Sequence, residues 1–591
     1  MFTTRPEIAG TFGVVASTHW IASSVGMAVL ERGGNAFDAA AAVAFTLQIA
    51  EPHLNGPGGD APIIIHSAKS GTQHVICGQG VAPDAATPEK FAALGLDLIP
   101  GTGLLPAVVP GAFDAWCLML RDWGTMELAD ILSYAIGYAQ RGIHIVPRIS
   151  AQIESVRPLF EAEWKTSAAV FLPKGKVPAP HSLFARPALA ETWQRVLKQG
   201  GDSREARIDA ARNAWYRGFV AEAIGKFYRT QEVLDVTGER HRGLLTENDL
   251  ARWAATVEDP VSTDYHGHTI LKAGPWTQGP VLLQQLALLR GFDIGAMDPN
   301  GAEFVHTLVE VAKLAFADRE AYYGDPDFVQ VPLNELLSPA YNDERRKLIG
   351  KTASLDLRPG KIPGYNPWVD HEAHERVEML SREPGAGEPT VARLGVLGAD
   401  TCHVDVIDRH GNMVSATPSG GWLQSSPVIP EVGFCVSTRG QMFWTTPGRP
   451  NSLQPRKRPR TTLTPSMALR DGKPWMAFGT PGGDQQDQWQ TAFLMRMLHH
   501  NMRIQEAIDA PGFHTEHWPS SFWPRAARPG KVVLEGRFDR SVLDDLTRRG
   551  HRAEMGEEWT EGRLSGARIE PDGQMFAGAN PRGMQGYAVG R

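Results

Sequence analysis

The chain has 591 residues, 42% hydrophobic and 21% charged, an ordinary globular mix that excludes disorder as its dominant state. Fifty-nine basic against 66 acidic residues leave a net charge of −7 with no basic stripe, which argues against a nucleic-acid partner or an anionic membrane surface. No apolar run reaches the ~18 residues of a membrane span, the first residues lack a signal-peptide core, and the four cysteines form no Cys-x-x-Cys. The expectation is a cytoplasmic protein with neither a disulfide scaffold nor a cysteine-rich zinc site. About 150 residues per domain suggests roughly four domains, and sixteen tryptophans suggest an aromatic pocket or interface.

In chain order, Ser17 or Thr18 is placed to cap a helix carrying Ile21, Val25, Ala28 and Val29, which ends at Gly33-Gly34. Asp38 to Ile49 is apolar on almost every side and predicts a buried helix. The Gly-rich stretch 55–60 leads into a short buried strand at Ile63–His66. Several amphipathic helices are predicted between 120 and 350, among them 302–323. Residues 351 to about 399 are rich in Gly, Pro and charge and read as an exposed linker. Within it, His371-Glu-Ala-His374 lacks the spacing of a metalloprotease helix, and His499-His500 reads as a helix end.

The pattern changes abruptly at Thr401. In TCHVDVID, Cys402, Val404 and Val406 alternate with Thr401, His403 and Asp405, which predicts a half-buried strand with the threonine on its polar face. Cys402 then faces the apolar side as a small hydrophobe. A turn at 410–412 and a returning strand at Met413–Thr417 place Ser419 beside Thr401. Further on, a strand at 475–479 runs into Thr480-Pro-Gly-Gly483 and then a helix with Trp489, Phe493 and Met497 on one stripe. Such a junction aims backbone N–H groups at whatever sits above it. It suits either a tight turn or an oxyanion site, and no Lys-Ser/Thr follows to make it a phosphate loop.

An ordered series of motifs resembles the γ-glutamyltransferase family of N-terminal-nucleophile hydrolases along nearly the whole chain. It comprises GGNAFDAA at 33–40, Glu51-Pro52, GPGG at 56–59, WGTM at 123–126, GLLTE at 243–247, Ala317-Asp-Arg319, GDPDF at 324–328, Thr401-Cys-His403, Lys457-Arg-Pro459 and TPGG at 480–483. The resemblance implies an α+β fold, a four-layer αββα sandwich built jointly by two subunits of one self-processed chain. Cleavage between Asp400 and Thr401 would make a large subunit (1–400) and a small one (401–591), the two associating as a heterodimer. Thr401 would be the nucleophile and its freed amine the general base. Gly482 and Gly483 would hold the oxyanion, Ser419 would support the nucleophile, and Thr461 and Thr462 would face the substrate carboxylate. No organic cofactor and no metal is implied, only a small-molecule amide and water or an amine acceptor.

The glutamate-binding positions depart from the family pattern. The arginine that holds the donor's α-carboxylate is replaced by Gln79, and the aspartate after Gln441-Met442 gives way to Phe443 and Trp444. An asparagine on the second hairpin strand is replaced by Gly421. A charge-assisted hydrogen bond contributes roughly 1.5–3 kcal/mol, so losing two weakens glutamyl recognition by roughly two to four decades. Arg439, Arg456 and Arg460 are the nearby charges that could substitute, and Phe443, Trp444, Trp422 and Trp276 the candidate pocket lining. The expected activity is a self-processing amidohydrolase or acyltransferase whose donor is not γ-glutamyl. The alternatives are a glutathione hydrolase with a rearranged clamp, a biosynthetic C–C hydrolase, and an unprocessed binding homologue.

Overall fold

A computed structural model describes residues 2–376 and 401–591 of the chain. Two seven-stranded antiparallel sheets face each other. The first runs, in spatial order, Tyr587–Gly590, Gly13–Ser17, Val404–Asp408, Met413–Ala416, Ala61–Ser67, Thr72–Gly78 and Thr256–Glu258. The second runs Ile8–Gly10, Met575–Ala579, Ser565–Ile569, Lys473–Gly479, Ser466–Arg470, His268–Lys272 and Val261–Tyr265. Ile64, Trp276, Ile407, Met413, Met467 and Ala477 belong to the apolar layer between them. Helices Trp20–Glu31, Ala36–Ala50 and Ala112–Trp123 cover the outer face of the first sheet. Pro280–Leu289, Ala302–Tyr322 and Gln486–His500 cover the second. The result is a four-layer αββα sandwich with an apolar cluster at each of its three layer interfaces, an architecture to which strands from both ends of the chain contribute, unlike the four domains that length suggests.

Both sheets interlace strands from before residue 376 with strands from after 401. Val404–Asp408 lies between Gly13–Ser17 and Met413–Ala416, with Val404 opposite both Ser17 and Ala416. The strand is buried along its whole length, not half-buried as its alternation suggests. One face meets the helix layer, and the face carrying Asp405 meets the second sheet, where Ser565 Oγ donates to Asp405 Oδ2 at 2.8 Å. Period-two patterning reports two faces, but it cannot say that a second sheet covers the polar one.

Helix Ala36–Ala50 is buried at every position, as its composition predicts, and Asn35 and Asp38 close a capping box at its start. The preceding helix begins at Trp20, and its cap is His19, whose Nδ1 accepts from Ile21 N at 3.2 Å. Thr18 does not cap it because its hydroxyl is turned to Glu51. The expected amphipathic helix at 302–323 forms as Ala302–Tyr322 but is buried on nearly all sides. Its polar residues are paired internally: Lys313 with Glu310, Arg319 with Glu320. Residues 351–376, expected as part of an exposed linker, pack against this helix and its neighbours. Gly360 N donates to Asp318 Oδ1 at 2.7 Å, and Ile362, Val369 and Ala373 are buried. Their Gly/Pro content marks irregular backbone, which specific hydrogen bonds nonetheless hold in place. The remainder of the expected linker, with Asp400, lies outside the described residues.

The Gly-rich loop at 56–59 is a tight main-chain junction. A Cβ on Gly59 would stand 2.1 Å from Ser419 O, one on Gly58 2.2 Å from Cys435 O, and one on Gly56 2.4 Å from Gly421 O. The glycines are there so that three stretches of main chain can touch. Gly59→Ala should therefore cost about 3 kcal/mol or more through overpacking against rigid backbone. Gly71→Ala, where the added carbon meets nothing within 4 Å, should cost only about 1 kcal/mol for its positive φ. Thermal unfolding of the two variants checks the difference.

Candidate active site

Thr401 is buried at the leading end of the central strand and forms an antiparallel bridge with Ser419. Its hydroxyl donates to Ser419 Oγ at 3.1 Å, the neighbour relation that the hairpin register predicts. Ser419 is fixed from its other side: its N–H donates to Asp60 O at 3.0 Å, and Asp60 N donates to Ser419 O at 2.7 Å. Cys402 N donates to Pro418 O at 2.9 Å, which locks the register next to the hydroxyl pair.

Two polar networks support this point. On the helix side, Glu51 Oε2 accepts from Thr18 Oγ1 and from Cys402 Sγ at 3.0 Å, and Gln585 Nε2 donates to Oε1. Cys402 Sγ also accepts from Asn55 Nδ2 at 3.0 Å, so the thiol has polar partners as well as the apolar neighbours expected of it. On the sheet side, His403 Nε2 lies 2.9 Å from Asp405 Oδ1, and Nδ1 lies 2.9 Å from Thr417 Oγ1. A carboxylate requires a donor, so Nε2 carries a proton at this contact. The ring lies flush on Gly479, where a Cβ would stand 2.3 Å from it.

Gly479 ends the strand Lys473–Gly479, and the expected Gly-Gly junction follows it. Gly482 has φ +121°, and a Cβ there would stand 2.7 Å from the Trp489 ring. Its carbonyl accepts from Gln486 Nε2, and Gly483 O accepts from Gln278 Nε2 at 3.3 Å. Neither glycine N–H donates a hydrogen bond among the described residues. Gln278 also ties in the threonine pair, since its N–H donates to Thr461 O at 2.9 Å. Thr461 Oγ1 accepts from Leu463 N, whereas Thr462 Oγ1 is buried without a partner among the described residues. Thus 461–462 and 482–483 form one connected wall through Gln278.

The other expected binding residues are employed differently. Gln79 is buried, with its Nε2 on Gly80 O at 3.2 Å and its Oε1 unpartnered among the described residues. Gln441 is a tether: its Nε2 donates to Gly101 O and Thr438 O, and its Oε1 accepts from Trp523 N. Phe443 is fully buried among Ala82, Phe91, Ile99 and Leu105, and Trp276 belongs to the layer between the sheets. Trp444 packs with Leu98 and Trp523, beneath the Arg525 guanidinium. Trp116, Trp164, Trp193 and Trp215 are also wholly buried, so much of the tryptophan content is core rather than pocket. Arg460 pairs with Glu320, and Arg456 donates to Arg252 O. Arg439 alone of the three nearby arginines joins the Thr401–Ser419 scaffold, through Asp60. Glu51 belongs to the Glu-Pro motif and Asp60 closes the Gly-rich stretch, though neither pattern shows its contacts, and Gln278 carries no sequence signal of its own.

Among the described residues one group has the reach of a metal site: His306, Glu310 and His551, all buried. Lys313 Nζ already sits 2.6 Å from Glu310 Oε1, and His306 Nδ1 lies 2.8 Å from His551 Nε2. The ammonium takes the cation's place and the imidazoles bond to each other, so the chemistry of the set is that of a packed polar cluster. His371 and His374 join no such group among the described residues, and His499 and His500 end the helix Gln486–His500. No helix among the described residues is long and apolar enough to cross a membrane.

A sandwich of two antiparallel sheets between helices, with a hydroxyl at the leading end of its central strand, defines an N-terminal-nucleophile-type hydrolase fold. The chain belongs to the gamma-glutamyltranspeptidase family, whose model matches residues 22–590, and is an enzyme of that family's amidohydrolase and acyltransferase class. The glutathione hydrolase-like YwrD proenzyme of Bacillus subtilis (strain 168) is 31% identical over 99% of both chains. The acylase ACY 1 proenzyme of Pseudomonas sp. (strain SE83) is 30% identical over 97% of this chain and 93% of its own. Among solved structures, LmbA2991HD superposes with a TM-score of 0.94 at 54% identity, both chains being covered in full. The cephalosporin acylase of Bacillus halodurans superposes at 0.82 with 28% identity, covering 100% of this chain and 98% of that one.

Burial pushes the Glu51 carboxyl up from its usual 4.5 to about 7. An acid whose native pKa is raised binds its proton more tightly folded than unfolded. The native state is therefore favoured below about pH 4.5 and loses that advantage as pH rises through about 7. Glu51→Gln removes the titration while leaving a carbonyl for Thr18 and Cys402, and the Gln585 amide can turn to accept. The melting temperature of the variant relative to the wild type should rise between about pH 4.5 and pH 8. A difference that stays constant over that range would show that Glu51 does not titrate there.

Proposed function

We propose that the chain is a self-processing N-terminal-threonine amidohydrolase or acyltransferase whose acyl donor is not γ-glutamyl. The observation that carries this reading is the Thr401 hydroxyl at 3.1 Å from Ser419 Oγ, at the start of the central strand. In the precursor, the hydroxyl attacks the Asp400 carbonyl, the acyl group shifts from nitrogen to oxygen, and water hydrolyses the ester. The freed amine has a reference pKa of about 7.7–8.0, so part of it is neutral at pH 7 and serves as base for its own hydroxyl. A substrate amide then acylates Oγ1 and releases its amine, and the ester passes to water or to an acceptor amine. The Gly482 and Gly483 N–H groups are the natural donors for the oxyanion, since their carbonyls are tied down.

The donor assignment rests on the glutamate-binding positions. Gln79 and Gln441 spend their amides on main-chain partners, and Phe443 lies in the core. Nothing at these positions offers the charged pair that an α-carboxylate and an α-ammonium require. The acylase among the relatives supports amide donors of another kind.

Intact-mass spectrometry of purified protein tests the reading. Wild type should appear as two fragments divided at residue 400, and incubation with a turned-over amide should add an acyl mass to the smaller one. Thr401→Ala should remain a single chain, and cutting at the same bond in that variant would rule out Thr401 as the processing nucleophile. Ser419→Ala removes the acceptor of the Thr401 hydroxyl and should lower kcat/KM by about 10-fold, the worth of one hydrogen bond, in steady-state assays of the processed enzyme.

A further inference from the structure

Arg439 is buried to 1% exposure, yet only one edge of its guanidinium is used. Nε donates to Asp60 Oδ2 at 3.2 Å, while Nη1 and Nη2 have no hydrogen-bond partner among the described residues. Its faces are sheltered by aromatic rings, with Cζ 5.3 Å from the centroid of Trp422 and 5.8 Å from that of Phe522. A guanidinium lodged among rings and left short of acceptors is costly, because buried charged donors need partners. Folds keep such a group where something else supplies the acceptors. Its place is set by the nucleophile's own scaffold: Asp60 pairs through its main chain with Ser419, whose hydroxyl accepts from Thr401. Ser437 Oγ donates to the same Asp60 oxygen at 2.8 Å, so the carboxylate is held in place and keeps the Nε edge occupied. What remains is the Nη edge, whose parallel N–H groups match a planar pair of oxygens.

We propose that Arg439 is the specificity-determining residue for the acyl donor and receives a carboxylate borne by that donor, on the edge formed by Nη1 and Nη2. This rests on the acyl-transfer reading above. The family's arginine position carries the neutral Gln79. The positive charge beside Asp60 is that of Arg439 instead. The position of the expected ammonium-binding aspartate carries aromatic residues, so the matching donor is an acyl group with a carboxylate and no neighbouring ammonium.

Binding and chemistry are tested separately with processed protein. Calorimetric titration with glutarate, and with the neutral glutaramide of equal length, reports the site whether or not an amide is cleaved. Wild type should bind glutarate at least ~10-fold more tightly than glutaramide, the lower bound for a charge-assisted pair. Arg439→Gln should abolish that preference, and Arg439→Lys should keep part of it. Equal binding of the two probes by wild type, or an unchanged preference in a folded Arg439→Gln variant, overturns the proposal. Turnover of glutaryl-p-nitroanilide against its methyl ester gives the catalytic counterpart. In Arg439→Gln the acid should lose at least ~10-fold in kcat/KM while the ester stays within about threefold. An equal loss on both marks a merely structural arginine and also overturns the assignment. Absence of any acyl-Thr401 mass despite selective glutarate binding would instead count against the amide chemistry and leave the Arg439 site standing.

Discussion

Thr401, Ser419 and Asp60 stand abreast because their main chains are bonded to one another, and the rest of the site hangs on that short ladder. Ser419 exchanges both of its main-chain hydrogen bonds with Asp60 and bridges to Thr401 on its other side. The approach is possible only because Gly59 presents no side chain to Ser419 O. From this ladder the hydroxyl pair, the buried Asp60–Arg439 pair and the Glu51 network all take their positions. Main-chain pairing is a stiff way to place catalytic groups, since its geometry does not depend on long side chains choosing rotamers.

The interlaced sheets supply the second constraint. The central strand, which carries Thr401 at its leading end, is enclosed by Gly13–Ser17 on one side and Met413–Ala416 on the other, with helices and a second sheet above and below. A polar strand face in that setting has to be satisfied internally, and His403, Asp405, Ser415, Thr417 and Ser565 form the network that does so. Low dielectric strengthens each of these bonds and makes each unmatched group expensive. The Nη edge of Arg439 and the hydroxyl of Thr462 are among the buried groups that have no partner among the described residues.

Local order was legible in the sequence wherever a single period or turn decided it. The alternation from 401 and the turn at 410–412 were enough to put Ser419 beside Thr401, and unbroken apolar composition marked the buried helix at 36–50. What depended on distant layers was not legible. Asp60 and Arg439 are 379 residues apart and meet only because two loops cross. Thr18 looks like a cap until Glu51, 33 residues on, takes its hydroxyl. The Gly/Pro-rich stretch after 350 reads as a linker because composition records irregular backbone but not the carboxylate and carbonyl partners that fasten it. Residues 401, 419, 482 and 483 came into view through family resemblance joined to local pattern, and Arg439 as one of three nearby charges, whereas its pairing with Asp60 needed coordinates.

The interlacing also bears on how the molecule can be made. While the chain is continuous, the strands on either side of residue 400 find each other within one molecule, and the search costs only loop-closure entropy. After a break before Thr401 the same sheets would have to be completed by two separate polypeptides, and assembly would become a second-order reaction that slows with dilution. Native pairing would then outlast the covalent link that produced it. Such a molecule is held by a structure it can reach readily only once, and its lifetime is governed by the height of the unfolding barrier more than by the equilibrium between folded and separated states.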